Sequence, residues 1–259
     1  MPEALVPAKG TIPEGARSEE DASRQVREMF TQIAPRYDLL NHLLSLQLDR
    51  LWRVRVAKRL SAVLGHSETS VLDLCCGTGD LAITIALRYR TRMIGADFAH
   101  PMLVRAREKS TSLSSKTLAQ LRPIKFIEAD ALKLPFADSS FDAVTTAFGF
   151  RNLANYEAGL TEMWRVLKPG GTLAILEFTE PPISLLGNLY RWYFRKILPR
   201  IGAIVSGDAS AYAYLPRSVS RFLRPGELAS LMTSAGYQSV EYRVWTLGTV
   251  ALHTATKAT

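Results

Sequence analysis

The stretch Val71-Leu-Asp-Leu-Cys-Cys-Gly-Thr-Gly-Asp-Leu81 decides the fold. Val71, Leu72 and Leu74 are strand formers, with Asp73 the polar residue among them. Gly77 and Gly79 allow positive φ and let a ligand come close to the backbone. Asp80 is placed to cap the helix that follows, whose apolar positions Ala82, Ile85, Ala86 and Tyr89 fall at helical spacing. A strand, a glycine loop and a helix in that order form a generic nucleotide-binding device. A dinucleotide fingerprint asks for a third glycine where this chain has Ala82, a permitted variant, so spacing alone does not exclude NAD. Asp73 discriminates better. A carboxylate inside the strand can face a cation, which suits the amino group and sulfonium of S-adenosylmethionine better than a pyrophosphate.

Around this unit the chain has 259 residues, enough for one generous α/β domain, and 47% hydrophobic residues, ample for a core. It contains no charge-free apolar run of about 18 residues, so no transmembrane helix is expected. The N-terminus lacks the apolar segment of a signal peptide. The two cysteines, Cys75 and Cys76, are adjacent inside the glycine stretch, which gives neither a disulfide framework nor a zinc site. They read as small loop residues, and a reducing cytoplasm fits them. A net charge of +8 favours an acidic partner surface, nucleic acid or anionic membrane.

Residues 1–17, with three prolines and two glycines, read as a mobile tail, and 18–259 as the single domain. Val26, Met29, Phe30 and Ile33 predict a helix over 18–33, ended by Pro35. A second helical region follows over 36–64, with Leu40, Leu44, Leu48 and Leu51 on one face. From residue 70 strands and helices alternate: strands at 70–75, 92–97, 124–129, 141–147 and 172–178, and helices at 80–90, 101–109 and 154–167. Lys168-Pro-Gly-Gly171 stops the last of these helices. Such alternation implies a parallel sheet with helices on both faces. A helix at 225–235 and two consecutive strands, 237–245 and 249–256, end the chain, so one strand at that edge runs antiparallel.

Ligands of such sheets bind beyond the carboxyl ends of the strands. There the chain places Asp73 and Gly77-Thr78-Gly79, then Asp97, whose carboxylate can accept both ribose hydroxyls, then Asp130-Ala131, where an acid can accept from an adenine amino group. The fourth strand ends in Phe148-Gly-Phe-Arg-Asn152. Acids at three successive strand ends after a glycine loop are unlike isolated helix caps or turn residues.

The set Asp73-x-x-x-Gly77-x-Gly79, Asp97, Asp130-Ala131 and Leu167-Lys-Pro-Gly-Gly171 resembles the class I S-adenosylmethionine-dependent methyltransferases. Arg36-Tyr-Asp-Leu-Leu-Asn41, Arg50-Leu-Trp-Arg53, Gly149-Phe-Arg-Asn152, Glu177-Phe178, Tyr212-Ala-Tyr-Leu215 and His253 narrow the resemblance to the menaquinone/ubiquinone biosynthesis C-methyltransferase family over roughly residues 24–257. It implies a Rossmann-like α/β fold: a mainly parallel seven-stranded sheet with one antiparallel edge strand and extra N-terminal helices. It also implies methyl transfer to a ring carbon of a polyprenyl quinol. Carried over by position, the cofactor contacts fall on Thr78, Asp97, Asp130 and Ala131. A serine frequent in the family just before the Phe-Gly loop is Ala147 here, so that contact is missing.

The chemistry asks for the reduced substrate, since a quinol with a deprotonated hydroxyl pushes charge onto the ortho carbon and a quinone does not. It needs no metal and no covalent nucleophile. Arg151 is expected to stabilise the phenolate, directly or through a water, and Asn152 to orient the hydroxyl. An arginine, with a pKa above about 12, is not the base. His42, Tyr37 and Asp49 are base candidates, with Tyr37 and Tyr156 better suited to packing. An isoprenoid tail brings the enzyme to the bilayer, at the inner face of the cytoplasmic membrane. The stretch 185–201, with Trp192, Tyr193 and Phe194 among Arg191, Arg195 and Lys196, reads as an interfacial segment or as a helix covering the core. The resemblance favours demethylmenaquinol as substrate, with the benzoquinol intermediate of ubiquinone biosynthesis as the alternative, and leaves a homo-oligomer open. An RNA methyltransferase would need a different motif after strand four, so no nucleic-acid partner is expected. A non-catalytic scaffold would not need the three acids.

Overall fold

A computed structural model describes residues 10–13, 15–45, 47–66, 68–118, 122–181, 214 and 217–259. The stretch 185–201 and all of Tyr212-Ala-Tyr-Leu215 but Tyr214 lie outside them. Among the described residues no helix is long and apolar enough to cross a membrane.

Strands β1 (Ser70–Leu74), β2 (Arg92–Asp97), β3 (Lys125–Glu128), β4 (Phe141–Ala147), β5 (Leu167–Phe178), β6 (Tyr237–Trp245) and β7 (Val250–Lys257) form one sheet in the order β3-β2-β1-β4-β5-β7-β6. All pairings are parallel except those of β7, antiparallel to β5 and to β6. The reversed strand expected at this edge thus sits one place in from it, with β6 outermost. A hairpin through Thr246–Gly248 delivers it there.

Successive side chains of the central strands go to opposite faces. Leu72, Leu74, Val144, Leu173 and Ile175 pack with Leu160 and Met163 of α8 (Tyr156–Val166) and with Leu228 and Met232 of α9 (Pro225–Ser234). Val71, Ala143, Ala174 and Leu176 pack the other way, against Trp52, Val56 and Ala57 of α3 (Leu48–Arg59) and Leu81 and Ile85 of α5 (Asp80–Ala86). Burial on both faces explains why these strands read as continuous apolar runs. Asp73 and Thr145 belong to the α3/α5 side by the same alternation, which puts two polar groups inside an apolar layer.

Lys168-Pro-Gly-Gly171 behaves differently from the expected helix stop alone. β5 begins at Leu167, opposite Phe141, and its next partners are Thr172 and Ala143, so the intervening residues bulge out of the ladder. Lys168 is held there by Asp142, 2.9 Å away, which also accepts the Ser70 N–H.

The N-terminal helices are α1 (Glu19–Ile33), α2 (Tyr37–Leu44), α3 and the short α4 (Ser61–Leu64). Ser18 caps α1 by accepting from the Asp21 N–H, and Pro35 lies in a 3-10 turn between α1 and α2. Phe30, Ile33, Ala34 and Tyr37 pack on Phe98, Ala99 and Met102 at the start of α6 (His100–Thr111), which lays α1 and α2 over the strand ends. A last short helix, α7, spans Ser115–Leu118. Two residues of the N-terminal tail region meet the β4 side of the domain. The Thr11 N–H donates to Leu153 O at 2.8 Å and its hydroxyl donates to Arg151 O, while a Cβ at Gly10 would collide with Ala154 O.

One close approach ties the β1 and β4 loops together. A Cβ at Gly149 would stand 2.3 Å from that of Cys75. Gly149→Ala is expected to destabilise the fold by about 1–3 kcal/mol, the usual cost of overpacking. An unchanged melting temperature would mean the two loops are not in contact.

Candidate functional site

The β1 loop leaves the sheet through Cys75 (φ 52°), Gly77 (φ 54°) and Gly79 (φ 80°). Phe148, at the end of neighbouring β4, also has positive φ (62°). Two non-glycine residues in the left-handed region at adjacent strand ends mark strain of the kind that gathers at functional sites. The Gly77 N–H donates to Asp97 Oδ2 at 2.8 Å, and the Ala99 N–H to Oδ1 at 2.9 Å. Burial pushes the Asp97 pKa up to about 6 against these backbone hydrogen bonds, and each oxygen can accept a second bond. Asp130 is exposed and folds a turn by accepting the Leu132 N–H at 2.9 Å, with Ala131 buried beside it. Together these loops bound a cleft of about 620 Å³, lined by Tyr37, Gly77, Asp97, Asp130, Phe148 and Asn152 among others. The structure therefore brings Gly77, Asp97, Asp130, Ala131 and Asn152 into one cleft, as their strand-end positions lead one to expect.

Asp73 and Asp80 take different places from those expected. Both Asp73 oxygens are engaged by the protein: Oδ2 accepts the Ala82 N–H at 3.0 Å and Oδ1 the Thr145 hydroxyl at 2.8 Å. Asp73 thus caps α5 from the strand, with Gly79 as N-cap residue. Asp80, expected to be the cap, is the first residue of the helix and pairs with Lys109 at 2.6 Å and Arg53 at 3.3 Å. Burial lifts the Asp73 pKa to about 7. The Thr78 hydroxyl donates to Asp38 Oδ1 and accepts from Lys109, which also pairs with Asp38 at 2.7 Å. The Tyr37 ring lies over Gly77, 3.6 Å from where a Cβ would be, so α2 covers the glycine loop.

Arg151 does not line the cleft. Its guanidinium is buried behind the loop, donating to Glu177 Oε2 at 2.9 Å and Phe148 O at 2.5 Å, while its backbone N–H donates to Glu177 Oε1 at 3.1 Å. Its partner is 26 residues away in sequence, on β5. The buried Glu177 carboxylate is the counter-charge of Arg151 in the protein itself. Asn152 does reach the cleft; its Oδ1 accepts from the Tyr214 hydroxyl at 3.0 Å. Tyr156 packs on Phe150 and donates to Arg151 O, as a packing residue would. Asp49 is buried against Arg53 and accepts the Ser45 hydroxyl at 2.5 Å. His42 lies on α2, its side chain outside the described residues. Burial pushes both cysteine thiols well above their ordinary pKa. Asp38, Arg53 and Lys109 escaped assignment from sequence. The first two sit in quoted motifs without a partner in view, and nothing local marks Lys109.

The ubiE/COQ5 methyltransferase family matches residues 17–257. The chain is 50% identical to the demethylmenaquinone methyltransferase of Deinococcus radiodurans, covering 88% of this chain and 91% of that protein. It is 41% identical to the ubiquinone/menaquinone biosynthesis C-methyltransferase UbiE of Syntrophotalea carbinolica, covering 91% and 95%. The fold is similar to that of a solved S-adenosylmethionine-dependent methyltransferase of Thermotoga maritima, a possible histamine N-methyltransferase, with a TM-score of 0.62 at 19% identity over 90% of this chain and 99% of that one. With its strand-end acids, glycine loop and covering helices, the chain belongs to the ubiE/COQ5 methyltransferase family.

Proposed function

We propose that the chain methylates a ring carbon of a polyprenyl naphthoquinol, converting demethylmenaquinol to menaquinol with S-adenosylmethionine as donor. The observation that carries this is the cleft itself. Donor-type residues, Gly77, Asp97 and Asp130, form one wall and the Phe148–Asn152 loop the other, in a chain half identical to a demethylmenaquinone methyltransferase.

The cleft suits the donor chemically: carboxylates for a nucleoside and a cation, and backbone exposed by glycine. When bound, S-adenosylmethionine supplies an electrophilic methyl group on a sulfonium. Asp97 would accept from the ribose hydroxyls and Asp130 from the adenine amino group, against the apolar wall at Ala131. Asn152, held by Tyr214, would orient a ring hydroxyl. Arg151 acts as a positioning residue that fixes the Phe-Arg-Asn loop and places positive charge behind it. His42, one turn beyond Asp38 on α2, is the proposed proton acceptor. With the donor bound, the hydroxyl proton would pass to His42 as the oxygen electron pair moves into the ring. The ortho carbon would take the methyl group while its bond to sulfur breaks and S-adenosylhomocysteine leaves. That carbon would then lose its own proton to solvent, and the oxygen would regain the proton from His42 to give the aromatic quinol.

A quinol with an isoprenoid tail resides in the bilayer, so this reading puts the chain at the inner membrane surface, with the basic aromatic stretch 185–201 as the contact. The Syntrophotalea relative, named for both pathways, keeps a benzoquinol acceptor as the second reading.

An assay with labelled S-adenosylmethionine and both reduced quinones decides the acceptor; label in the naphthoquinol is expected, and transfer to the benzoquinol alone would reverse the reading. Asp97→Ala should weaken donor binding in calorimetry about 10- to 100-fold, the worth of a charge-assisted hydrogen bond. Normal affinity would remove Asp97 from the site.

The pH dependence has a definite sign. In the free protein, Asp73 and Asp97 have raised pKa values of about 7 and about 6, so each favours folding fully below the ordinary carboxylate range and loses that contribution as pH rises through those values. A cationic ligand favours the ionised forms. Thermal stabilisation by S-adenosylmethionine should therefore grow between about pH 5 and pH 8, and Asp97→Asn should flatten the profile.

Arg151 and Asn152 should separate in their variants. Arg151→Ala leaves Glu177 buried without its partner, so a loss of about 3–5 kcal/mol in stability is expected from denaturant unfolding. Asn152→Ala should keep its melting temperature and lose turnover, and an equal loss of stability in both would deny Asn152 a role at the substrate.

A further inference from the structure

Thr11 precedes the first helix, yet it is bonded to a residue 140 positions further along the chain. The residues it meets belong to the Phe150–Asn152 turn at the end of β4. The internal hydrogen bonds of this 3-10 turn use the carbonyls of Gly149 and Phe150, which accept the Asn152 and Leu153 N–H groups at 3.0 and 3.1 Å. The carbonyls of Arg151 and Leu153, one on each side of Asn152, are left for partners outside the turn. Both are taken by Thr11: its N–H donates to Leu153 O at 2.8 Å and its hydroxyl donates to Arg151 O. Thr11 therefore brackets the backbone of Asn152. The Tyr156 hydroxyl completes the group, donating to Arg151 O at 3.1 Å and standing 2.9 Å from Thr11 Oγ1.

Gly10 permits this approach. It is buried, and a Cβ on it would stand 2.0 Å from Ala154 O. The next loop residue is tied as well, since the side chain of Asn155, which caps α8, donates to the Glu19 carboxylate at 3.2 Å. Asn152, Leu153 and Ala154 also line the main cleft, together with Ser23 of α1. One short stretch thus forms cleft wall while its carbonyls are held by the segment that leads into α1. The Asn152 amide itself is aimed by Tyr214, which donates to Oδ1 at 3.0 Å, and by Phe148 O, which accepts from Nδ2 at 3.3 Å. Those bonds orient the side chain and do not fix the peptides on either side of it. A misplacement of about 1 Å near reacting atoms can cost about 100-fold in rate.

We propose that Gly10 and Thr11 form a strap that fixes the backbone of Asn152, which makes Thr11 a positioning residue for the quinol acceptor. The inference rests on the reading of Asn152 as the group that orients the ring hydroxyl. Thr11 meets no reacting atom; it acts by holding the two carbonyls that flank Asn152. Gly77 and Asp97 are bonded to each other, so loosening the strap leaves the donor wall in place.

The test uses the full chain and measures two quantities side by side: turnover of the reduced quinone that the wild-type chain methylates, and calorimetric binding of S-adenosylhomocysteine. Thr11→Val keeps the N–H and removes the hydroxyl, and Gly10→Ala forces the strap away from Ala154. A fall in kcat of about 5- to 10-fold is expected for Thr11→Val, and at least as large a fall for Gly10→Ala, with the affinity for S-adenosylhomocysteine unchanged. Thr11→Ser restores the hydroxyl and should recover turnover. Full turnover in either of the first two variants would overturn the proposal. So would an affinity for S-adenosylhomocysteine that falls in step with kcat, because a merely structural segment loosens both walls together. A Thr11→Ser protein as slow as Thr11→Val would overturn it too. Asn152→Ala separates the strap from the reading beneath it. Its full turnover would remove Asn152 from the acceptor site and the strap with it, whereas a slow Asn152→Ala beside fully active strap variants would overturn the strap alone.

Discussion

The carboxylate of Asp73 is the constraint on which the site depends. One oxygen takes the Ala82 N–H at the start of α5 and the other takes the Thr145 hydroxyl on β4. Strand, helix and neighbouring strand are therefore fixed to one buried group. Burial raises its pKa to about 7, against the hydrogen bonds that favour its charge. The glycine loop that leaves β1 is stretched between this anchor and Asp97, which holds the Gly77 N–H from the next strand. Two acids from one sheet thus shape a loop of three positive-φ positions. The polar groups inside an otherwise apolar layer are the frame of the site.

Around that frame the charges form a chain. Asp38 of α2 meets Thr78 and Lys109, Lys109 meets Asp80, Asp80 meets Arg53, and Arg53 meets Asp49. It crosses from the covering helices to the glycine loop and back. On the acceptor side the pair Arg151–Glu177 plays the corresponding part for the Phe-Arg-Asn loop, aided by the carbonyl of Phe148. Buried pairs of this kind add little net stability but lose much when one partner goes.

The sheet was legible because its strands are buried on both faces, and their apolar runs at 92–97 and 141–147 coincide with β2 and β4 as observed. The positions of Gly77, Asp97, Asp130 and Asn152 were legible because strand ends converge on one side of such a sheet. What sequence did not convey was partnership. Nothing near Arg151 announces that Glu177 lies beside it, because they meet through the β4–β5 ladder. Nothing near Asp80 says that Asp73 already caps its helix from within the preceding strand, leaving Asp80 to Lys109 and Arg53. The start of β5 at Leu167 was hidden by a Pro-Gly-Gly signal that looks like a turn and is a bulge within the strand.

The contact between Gly149 and Cys75 has a mechanical consequence. Because the two strand-end loops touch where a methyl group would not fit, the donor half and the acceptor half of the cleft share one rigid floor. A side chain added at either loop would push on the other. The roof is fastened to the same loop, where Tyr37 of α2 lies over Gly77 and packs near Phe98 and Met102, and Asp38 holds Thr78 and Lys109. Bed and cover thus meet at one short loop, so a change at Gly77 or Thr78 is felt on both sides of the cleft at once.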